Sequence, residues 1–580
     1  MTTSMLQRLS LQWSPALRSM PLSGPLVCAF FALGWLLPNH HRPWLSFHSE
    51  AWIAAGLLSA LLLVLWQTRG PCRISGLAWF LFALSALPWL QHFIGILPLA
   101  GDAWVSFAFL LGFALSVILG ELWASRDPDT PFNFLCGAIG FAAVASVFLQ
   151  LYQWLGLTRS DGMTDIWVLY MNDGGRPYAN LGQPNQLATL LIWGLVAIAW
   201  GLHKQVFGKW VASLLAVLVL FGLALTQSRT AMLTLSVLFV AMWLDRGRLL
   251  PSGWMKGAAA LFTVYCVFIL SLGALGSWLL LDIESSIVYR TQGEARLEAW
   301  RMFFDAALER PLLGYGWDHS KVAQLVVFPE HPDMANQLYS HAHNLFLDLV
   351  LWTGWPTGLA LSLLVLGWFV LALRSIRSLR QLLLCVALFA IGVHAMLELP
   401  LHYAYFLFPA GVMVGMLNHL REPPARSRAV GKWSLFALAA SAAVLMGVIV
   451  RDYFLVEESV MDLRFEAQRI GVNHRRQPPP TWLLRHWQDL IQLGRDQPHN
   501  KMTPEEVSHW MALVLYYPSS ANYEKLLKAL SMNGRHEEAQ YWAKRTCAFI
   551  DQQTCNLIQS RWQASVPTGT GGVGVPKGVR

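Results

Sequence analysis

The sequence predicts an all-α protein: a polytopic transmembrane helix bundle of about 13 spans, with long loops and a C-terminal helical domain on one side of the membrane. Three observations predict it. Of the 580 residues, 55% are hydrophobic and only 13% charged, whereas soluble domains carry about 25% charged residues; mean hydropathy is +0.43. The apolar residues gather in runs close to the roughly 20 residues that cross a bilayer. The basic residues recur in short loops between every second pair of runs, which is an orientation pattern, so the formal charge of +8 implies no nucleic-acid partner.

In chain order the expected spans are 25–38, 51–67, 76–97, 103–124, 134–156, 186–202, 210–226, 230–245, 257–281, 343–372, 380–398, 402–419 and 433–450. The first follows a cytoplasmic N-terminus, residues 1–24, that carries Arg8 and Arg18, and it reads as a retained span. Loops 68–75, 125–131, 203–209, 245–256, 374–380 and 420–432 are basic and fall on the N-terminal side of the membrane. The opposite, periplasmic side receives loops 157–185 and 282–342, the turns 226–230 and 399–402, and everything from Arg451 onward. The 28 Trp suit the amphipathic belts at both membrane surfaces.

The tail, 451–565, is polar and helix-patterned. YEKLLKALSMNGRHEEAQYWAKRTCAFI reads as helix, Gly-containing turn, helix, similar to one tetratricopeptide-type hairpin. Residues 566–580 are Gly/Pro-rich and expected to be disordered. Cys547 and Cys555 form a disulfide or remain two thiols. One continuous helix would hold positions eight apart about 12 Å from each other, so a bridge requires the helix to end near Asp551.

Polar residues collect on the periplasmic side: Arg159, Arg176, Gln183, Asn185, Arg229, Arg290, Arg296, Arg301, His341, His343, Glu398 and His402. Positive charge there runs against the orientation rule, and an anionic phosphate group is the simplest partner for it. Arg229 stands in FGLALTQSRTAMLTLSVLFV, too long for one comfortable span, so Thr226–Arg229 is expected in a tight reversal at the membrane surface. His343 and Asn344 open the apolar run that follows the long loop, and an imidazole can accept a proton at neutral pH. His341 and His343 lack an obvious third ligand, so no metal is expected. Arg290 and Arg301 also read as a solvated helix face, with Glu294, Glu298 and Asp305 as partners.

Over residues 20–420 the chain resembles the O-antigen ligase and polymerase superfamily, and within it the bacterial protein O-oligosaccharyltransferases, or pilin glycosylases. His343-Asn344, nine residues, then Gly354-Trp-Pro-Thr357 is similar to the ligase pattern H[N/S/Q]–nine residues–Gxx[G/T/Y]. Arg296 ahead of Trp300 and Pro311–Gly316 is similar to a second pattern, although Trp300 stands where that pattern usually has Leu. The SRT turn with Arg229 matches a third, and RPYANLGQPNQLATLL (176–191) is similar to the signature of the protein-glycosylating branch. The resemblance implies packed transmembrane helices with a periplasmic cap in a bacterial inner membrane. It implies a polyprenyl-diphosphate-linked oligosaccharide as donor, and catalysis without metal, nucleotide or other cofactor. In the protein branch the acceptor is Ser or Thr of a pilin-like or other exported protein.

On that footing the residues suggest an inverting displacement. His343 would orient or deprotonate the acceptor hydroxyl. Arg229 and Arg296 would neutralise the departing diphosphate, with Arg176 and Arg290 as further diphosphate ligands. Gln183, Asn185, Asn344, His341, Glu398 and His402 would bind sugar or acceptor groups. An O-antigen ligase or polymerase with a sugar acceptor is the nearest alternative. A transporter of lipid-linked substrates is less consistent, since its polar residues would sit at the bilayer midplane.

Overall fold

The computed structural model is helical nearly throughout and describes residues 23–157, 166–171, 174–245, 253–279, 281, 295–334, 337–421, 427–470 and 477–564. Arg159 and Arg290, the basic N-terminal segment 1–22 and the Gly/Pro-rich end 566–580 lie outside them. In chain order come α1 (Ser23–Leu36), α2 (Phe47–Gln67), β1 (Cys72–Ile74), α3 (Gly76–Leu84), α4 (Leu87–Phe93), α5 (Ala100–Ala124) and α6 (Asp129–Trp154). Next are α7 (Pro184–His203), α8 (Lys209–Leu225), α9 (Arg229–Asp245), α10 (Trp254–Trp278), α11 (Ala295–Glu309), α12 (Ser320–Val327) and α13 (Leu345–Arg374). The chain closes with α14 (Leu379–Ala395), α15 (Ala404–Arg421), β2 (Arg428–Val430), α16 (Lys432–Ala467), α17 (Arg485–Arg495), α18 (Pro504–Tyr516), α19 (Ser520–Met532), α20 (His536–Phe549) and α21 (Gln552–Gln563).

Among the described residues seven helices are long and apolar enough to cross a membrane: α2, α5, α6, α7, α10, α13 and α16. Helix α8, most of α9 and α14 are apolar but shorter. One expected span is corrected. Residues 76–97 do not form a single helix but split into α3 and α4. The Ser85 hydroxyl turns back to the Phe82 carbonyl (2.7 Å), and Pro88 then sits in the first turn of α4, where its missing N–H costs nothing. The last expected span also runs on: α16 has 36 residues, about 54 Å at 1.5 Å per residue.

The chain divides into two compact units. The first comprises residues 1–87, 107–293 and 363–450. Five of the six basic loops meet at one end, and most of the sixth, 245–256, lies outside the described residues. Strands β1 and β2 pair antiparallel there, Cys72 opposite Val430. Lys432 Nζ donates to the Thr68 carbonyl (3.0 Å), Arg126 reaches Val64 and Thr68, and Asp129 accepts from both Lys204 (2.5 Å) and Arg380. These are the loops whose charge predicted a common side. Helices α7, α8 and α14 each connect that end to the other, so Gln183, Arg229 and Glu398 share the far end.

The second unit comprises residues 88–106, 294–362 and 451–580. Its organising contact is a buried carboxylate at the start of α5. Asp102 accepts from Tyr517 Oη (2.6 Å) and lies 3.2 Å from His319 Nε2, while Tyr516 Oη donates to the Ile96 carbonyl (3.0 Å). His486 is buried beside it, and that burial pushes its imidazole below the usual range against the opposing pull of Asp102. In the tail, α19 and α20 form the helical hairpin. Helix α20 ends at Phe549, Asp551 caps α21 through the Thr554 N–H (2.9 Å), and across that break Cys547 and Cys555 form a disulfide with a Cα–Cα distance of 5.1 Å.

Candidate active site

His343 occupies a backbone position that side-chain-bearing residues rarely adopt, with φ +52°. Such a conformation costs on the order of 1–3 kcal/mol and must be held by its surroundings. Two side chains hold it. Asn344 Oδ1 accepts from the Phe346 and Leu347 N–H groups (3.1 and 3.3 Å) and so caps α13. Asp348, one turn into the helix and buried, accepts from the Ala342 N–H (2.8 Å) and the Ser320 hydroxyl (2.7 Å). The second position of the His-Asn pair therefore has a local reason: Asn and Ser are good N-caps. Asn344, assigned above to substrate, has its carbonyl oxygen engaged in capping.

Below this turn the spacing of the two glycine motifs becomes physical. Gly354 interrupts α13 with φ +79° and ψ 167°, a region open essentially to glycine alone. The backbone of Pro311–Gly316 fills the break. Tyr315 N–H donates to the Leu351 carbonyl (2.7 Å), Gly316 N–H to Trp352 (3.2 Å), and Trp355 N–H to Pro311 (2.7 Å). Gln91 spans the seam, donating to the Trp352 carbonyl (2.8 Å) and accepting from the Trp317 N–H (2.9 Å). A Cβ on Gly354 would lie 2.3 Å from the Leu312 carbonyl, and one on Gly314 would lie 2.4 Å from the Leu351 oxygen. The PLLGYG and Gly354 motifs are two sides of one backbone seam that supports the His343 turn.

Arg296, in the first turn of α11, belongs to the same unit. Its charge is felt at Tyr339, the aromatic neighbour of His343. Tyr339 stands edge-on to the imidazole at 5.5 Å, and its phenol, raised above the usual range by burial, feels an opposing pull from the Arg296 guanidinium. Gln324 fixes this segment by accepting from the Tyr339 N–H (2.8 Å) and donating to the Gln337 carbonyl (2.7 Å). His341 is buried, its Nδ1 3.8 Å from Asp318 Oδ1.

Arg176, Gln183, Asn185, Arg229, Glu398 and His402 belong to the first unit. Gln183 and Asn185, at the start of α7, both donate to the Glu398 carboxylate (3.3 and 3.1 Å). His402 lies within electrostatic reach of the buried Glu50. Thr226–Ser228 is the expected reversal: Gln227 has φ +46°, Ser228 Oγ accepts from the Ala231 N–H (3.2 Å), and α9 starts at Arg229. Gln150 joins this end to the Arg176 loop, donating to the Gly222 (2.9 Å) and Pro177 (3.5 Å) carbonyls. Gln153 accepts from Tyr178 N–H (3.0 Å) and Ala179 N–H (2.7 Å), fixing the same loop.

Sequence reasoning missed Tyr339, Asp348, Gln150 and Gln153. Asp348 carried a signal, being the one acid in SHAHNLFLDLVLWTGWPTGLA (340–360). Because its two accepted bonds fix the His343 turn, Asp348→Ala is expected to lower the catalytic rate per folded protein roughly tenfold or more, since stranding buried donors costs about 1–3 kcal/mol. Asp348→Asn keeps an accepting oxygen and is expected to restore most of the rate. Equal loss in both variants would remove the positioning role.

Three family models match the chain. An O-antigen ligase model covers residues 214–362, a protein glycosylation ligase model 177–200, and the C-terminal model of a membrane-bound polymerase described as a virulence factor 382–562. Two curated proteins of Acinetobacter baylyi are similar. The general O-oligosaccharyltransferase is 27% identical over 526 residues, 89% of this chain and 90% of the relative. The ComP-specific O-oligosaccharyltransferase is 27% identical over 400 residues, 68% and 71% respectively. The ligase model spans the Arg229 turn, the Arg296 helix and the His343–Gly354 segment together, and the glycosylation ligase model falls on the loop that carries Gln183 and Asn185. The chain is a glycosyltransferase, similar over nearly its whole length to bacterial O-oligosaccharyltransferases and matching the O-antigen ligase and protein glycosylation ligase models.

Proposed function

We propose that this enzyme moves an oligosaccharide en bloc from a polyprenyl diphosphate carrier to a Ser or Thr hydroxyl of a pilin-like or other exported protein, at the periplasmic face of the bacterial inner membrane. The observation that carries the reading is the His343 turn: an imidazole held at a left-handed backbone position by the capping of Asn344 and Asp348, edge-on to Tyr339. The names of the two relatives support transfer to protein.

The acceptor oxygen attacks the anomeric carbon as the carbon–oxygen bond to the diphosphate breaks, inverting that centre. The bonding pair leaves on the diphosphate, and the hydroxyl proton passes to His343 and then to water. A diphosphate is a good leaving group, so the cations matter more than a strong acid. Each preorganised donor of this kind is worth about 100- to 1,000-fold. Arg296 and Arg229 take that role, with Arg176 and Arg290 as further phosphate ligands. Gln183 and Asn185, oriented by Glu398, keep amide groups for sugar or acceptor hydroxyls, with His341, Asn344 and His402 as further polar contacts. The polar helical tail offers the surface on which a protein acceptor docks.

The test is the intact mass of a pilin co-expressed with this enzyme and a lipid-linked glycan pathway, in cells lacking other such transferases. A glycan-sized gain on the pilin is expected. Glycan on lipid A–core with none on any pilin would overturn the reading in favour of a sugar acceptor.

A further inference from the structure

Helix α11 has two apolar faces. Ala299, Met302, Phe303, Ala306 and Ala307 are buried in its own unit. Leu297, Phe304 and Leu308 form a second stripe that is open, 56%, 46% and 55% exposed, and Leu312 and Leu313 continue it past the helix end at 71% and 58%. Soluble surfaces rarely keep so continuous an apolar ridge uncovered. The acidic residues avoid it. Glu298, Asp305 and Glu309 repeat with the same spacing about a quarter-turn away around the helix. Arg301 falls within the ridge and pairs with Glu298 at 3.1 Å.

The position of the ridge along α13 is fixed. Pro311 accepts from Trp355 N–H, and the Phe304 ring lies 5.4 Å from the Trp355 ring. Before Trp355 the helix residues Leu349–Thr353 are buried; after it Pro356, Thr357, Leu359 and Ala360 are exposed and largely apolar. Trp355 thus marks where α13 changes from a protein-covered to an open apolar surface, and the α11 ridge is continuous with that surface. We propose that the ridge Leu297–Phe304–Leu308–Leu312–Leu313 lies in the membrane–water boundary, its side chains among the acyl chains of one leaflet and the acidic stripe of α11 in water. The occupant is the lipid surface itself. Arg301, on a long stem within the ridge, reaches outward to lipid phosphate. The proposal rests on α13 crossing the membrane and is independent of the transfer chemistry.

The ridge then sets a height. Leu345 and Thr353 are eight residues apart on the unbroken first part of α13, about 12 Å along its axis, whereas a headgroup layer is about 5–7 Å thick. The His343 turn stands clear of the hydrocarbon, within reach of a group that projects from the headgroup plane.

The experiment uses the full chain in phospholipid nanodiscs, with Cys28, Cys72, Cys136, Cys266 and Cys385 replaced by Ala and an unchanged thermal midpoint as the check on folding. A polarity-sensitive fluorophore is attached at Leu308→Cys, Leu297→Cys or Glu309→Cys. The two ridge positions are expected to emit to the blue, to lose most of their intensity when the chains are brominated near the headgroup, and to ignore aqueous iodide. Position 309 should respond in the opposite way. Iodide quenching at 297 and 308 overturns the proposal. So does protection from both quenchers, which would mean that protein covers the ridge, and so does bromolipid quenching at all three positions, which would mean an immersed helix.

Discussion

Replacing His343 with Ala is expected to lower the rate of glycan transfer by about 100- to 10,000-fold while leaving the amount of enzyme in the membrane unchanged. The magnitude is that of a positioned general base. The unchanged abundance follows from the local structure. The imidazole tops a turn whose backbone is held by Asn344 and Asp348, neither of which depends on the His343 side chain for the bonds described. Alanine keeps the Cβ and the positive φ, so the turn bears no new clash. The check is a single-turnover assay on purified enzyme, with glycosylated pilin resolved by intact mass and donor binding measured separately. A base removed from the reacting atoms slows the chemical step and leaves donor affinity near its starting value. A large loss of donor affinity with a preserved chemical rate would instead assign His343 to binding.

Gly354→Ala is the second large effect, and it acts through structure. The residue sits at φ +79° and ψ 167°, where a side chain costs about 1–3 kcal/mol in backbone strain alone. The added methyl would also lie 2.3 Å from the Leu312 carbonyl carbon and oxygen and 2.7 Å from Leu313 N. Those are backbone atoms in a hydrogen-bonded seam and cannot rotate aside. Either the seam opens, stranding the Leu351 and Trp352 carbonyls, or α13 shifts against the Pro311–Gly316 segment. Both displace the His343 turn. Loss of transfer is expected together with a lower thermal midpoint in detergent and faster proteolysis near residue 312. Normal stability and activity in the Gly354→Ala enzyme would show that the break in α13 is dispensable.

Much of this was legible in the sequence. Hydropathy and the alternation of basic loops pointed to the helical bundle, and the five described loops of that group do meet, through the Cys72–Val430 strand pair, Arg126 and the Asp129 ion pairs. The Thr226–Arg229 reversal followed from the length of an apolar run. What failed did so for local reasons. Residues 76–97 have the composition of a span, but composition does not register a serine that bonds back to its own helix and a proline that starts the next. The site was legible as a set of residue types and not as partnerships. Gln183, Asn185 and Glu398 were each singled out, yet nothing in the chain order couples positions more than 200 residues apart. Tyr339 and Asp348 act through contacts that only the folded turn creates.

The Asp102 contact bears on how such enzymes can be recombined. A cut at residue 450 suggests a module that could be exchanged between relatives to redirect acceptor choice. The carboxylate bonded to Tyr517, and the Ile96 carbonyl bonded to Tyr516, belong to a segment more than 400 residues upstream. A transplanted tail would arrive without its counterpart, and a truncated enzyme would be left with a buried acid stripped of a donor. The heritable unit is therefore split along the chain: residues 88–106 travel with 294–362 and 451–580, and a chimera that respects this division is the one expected to fold.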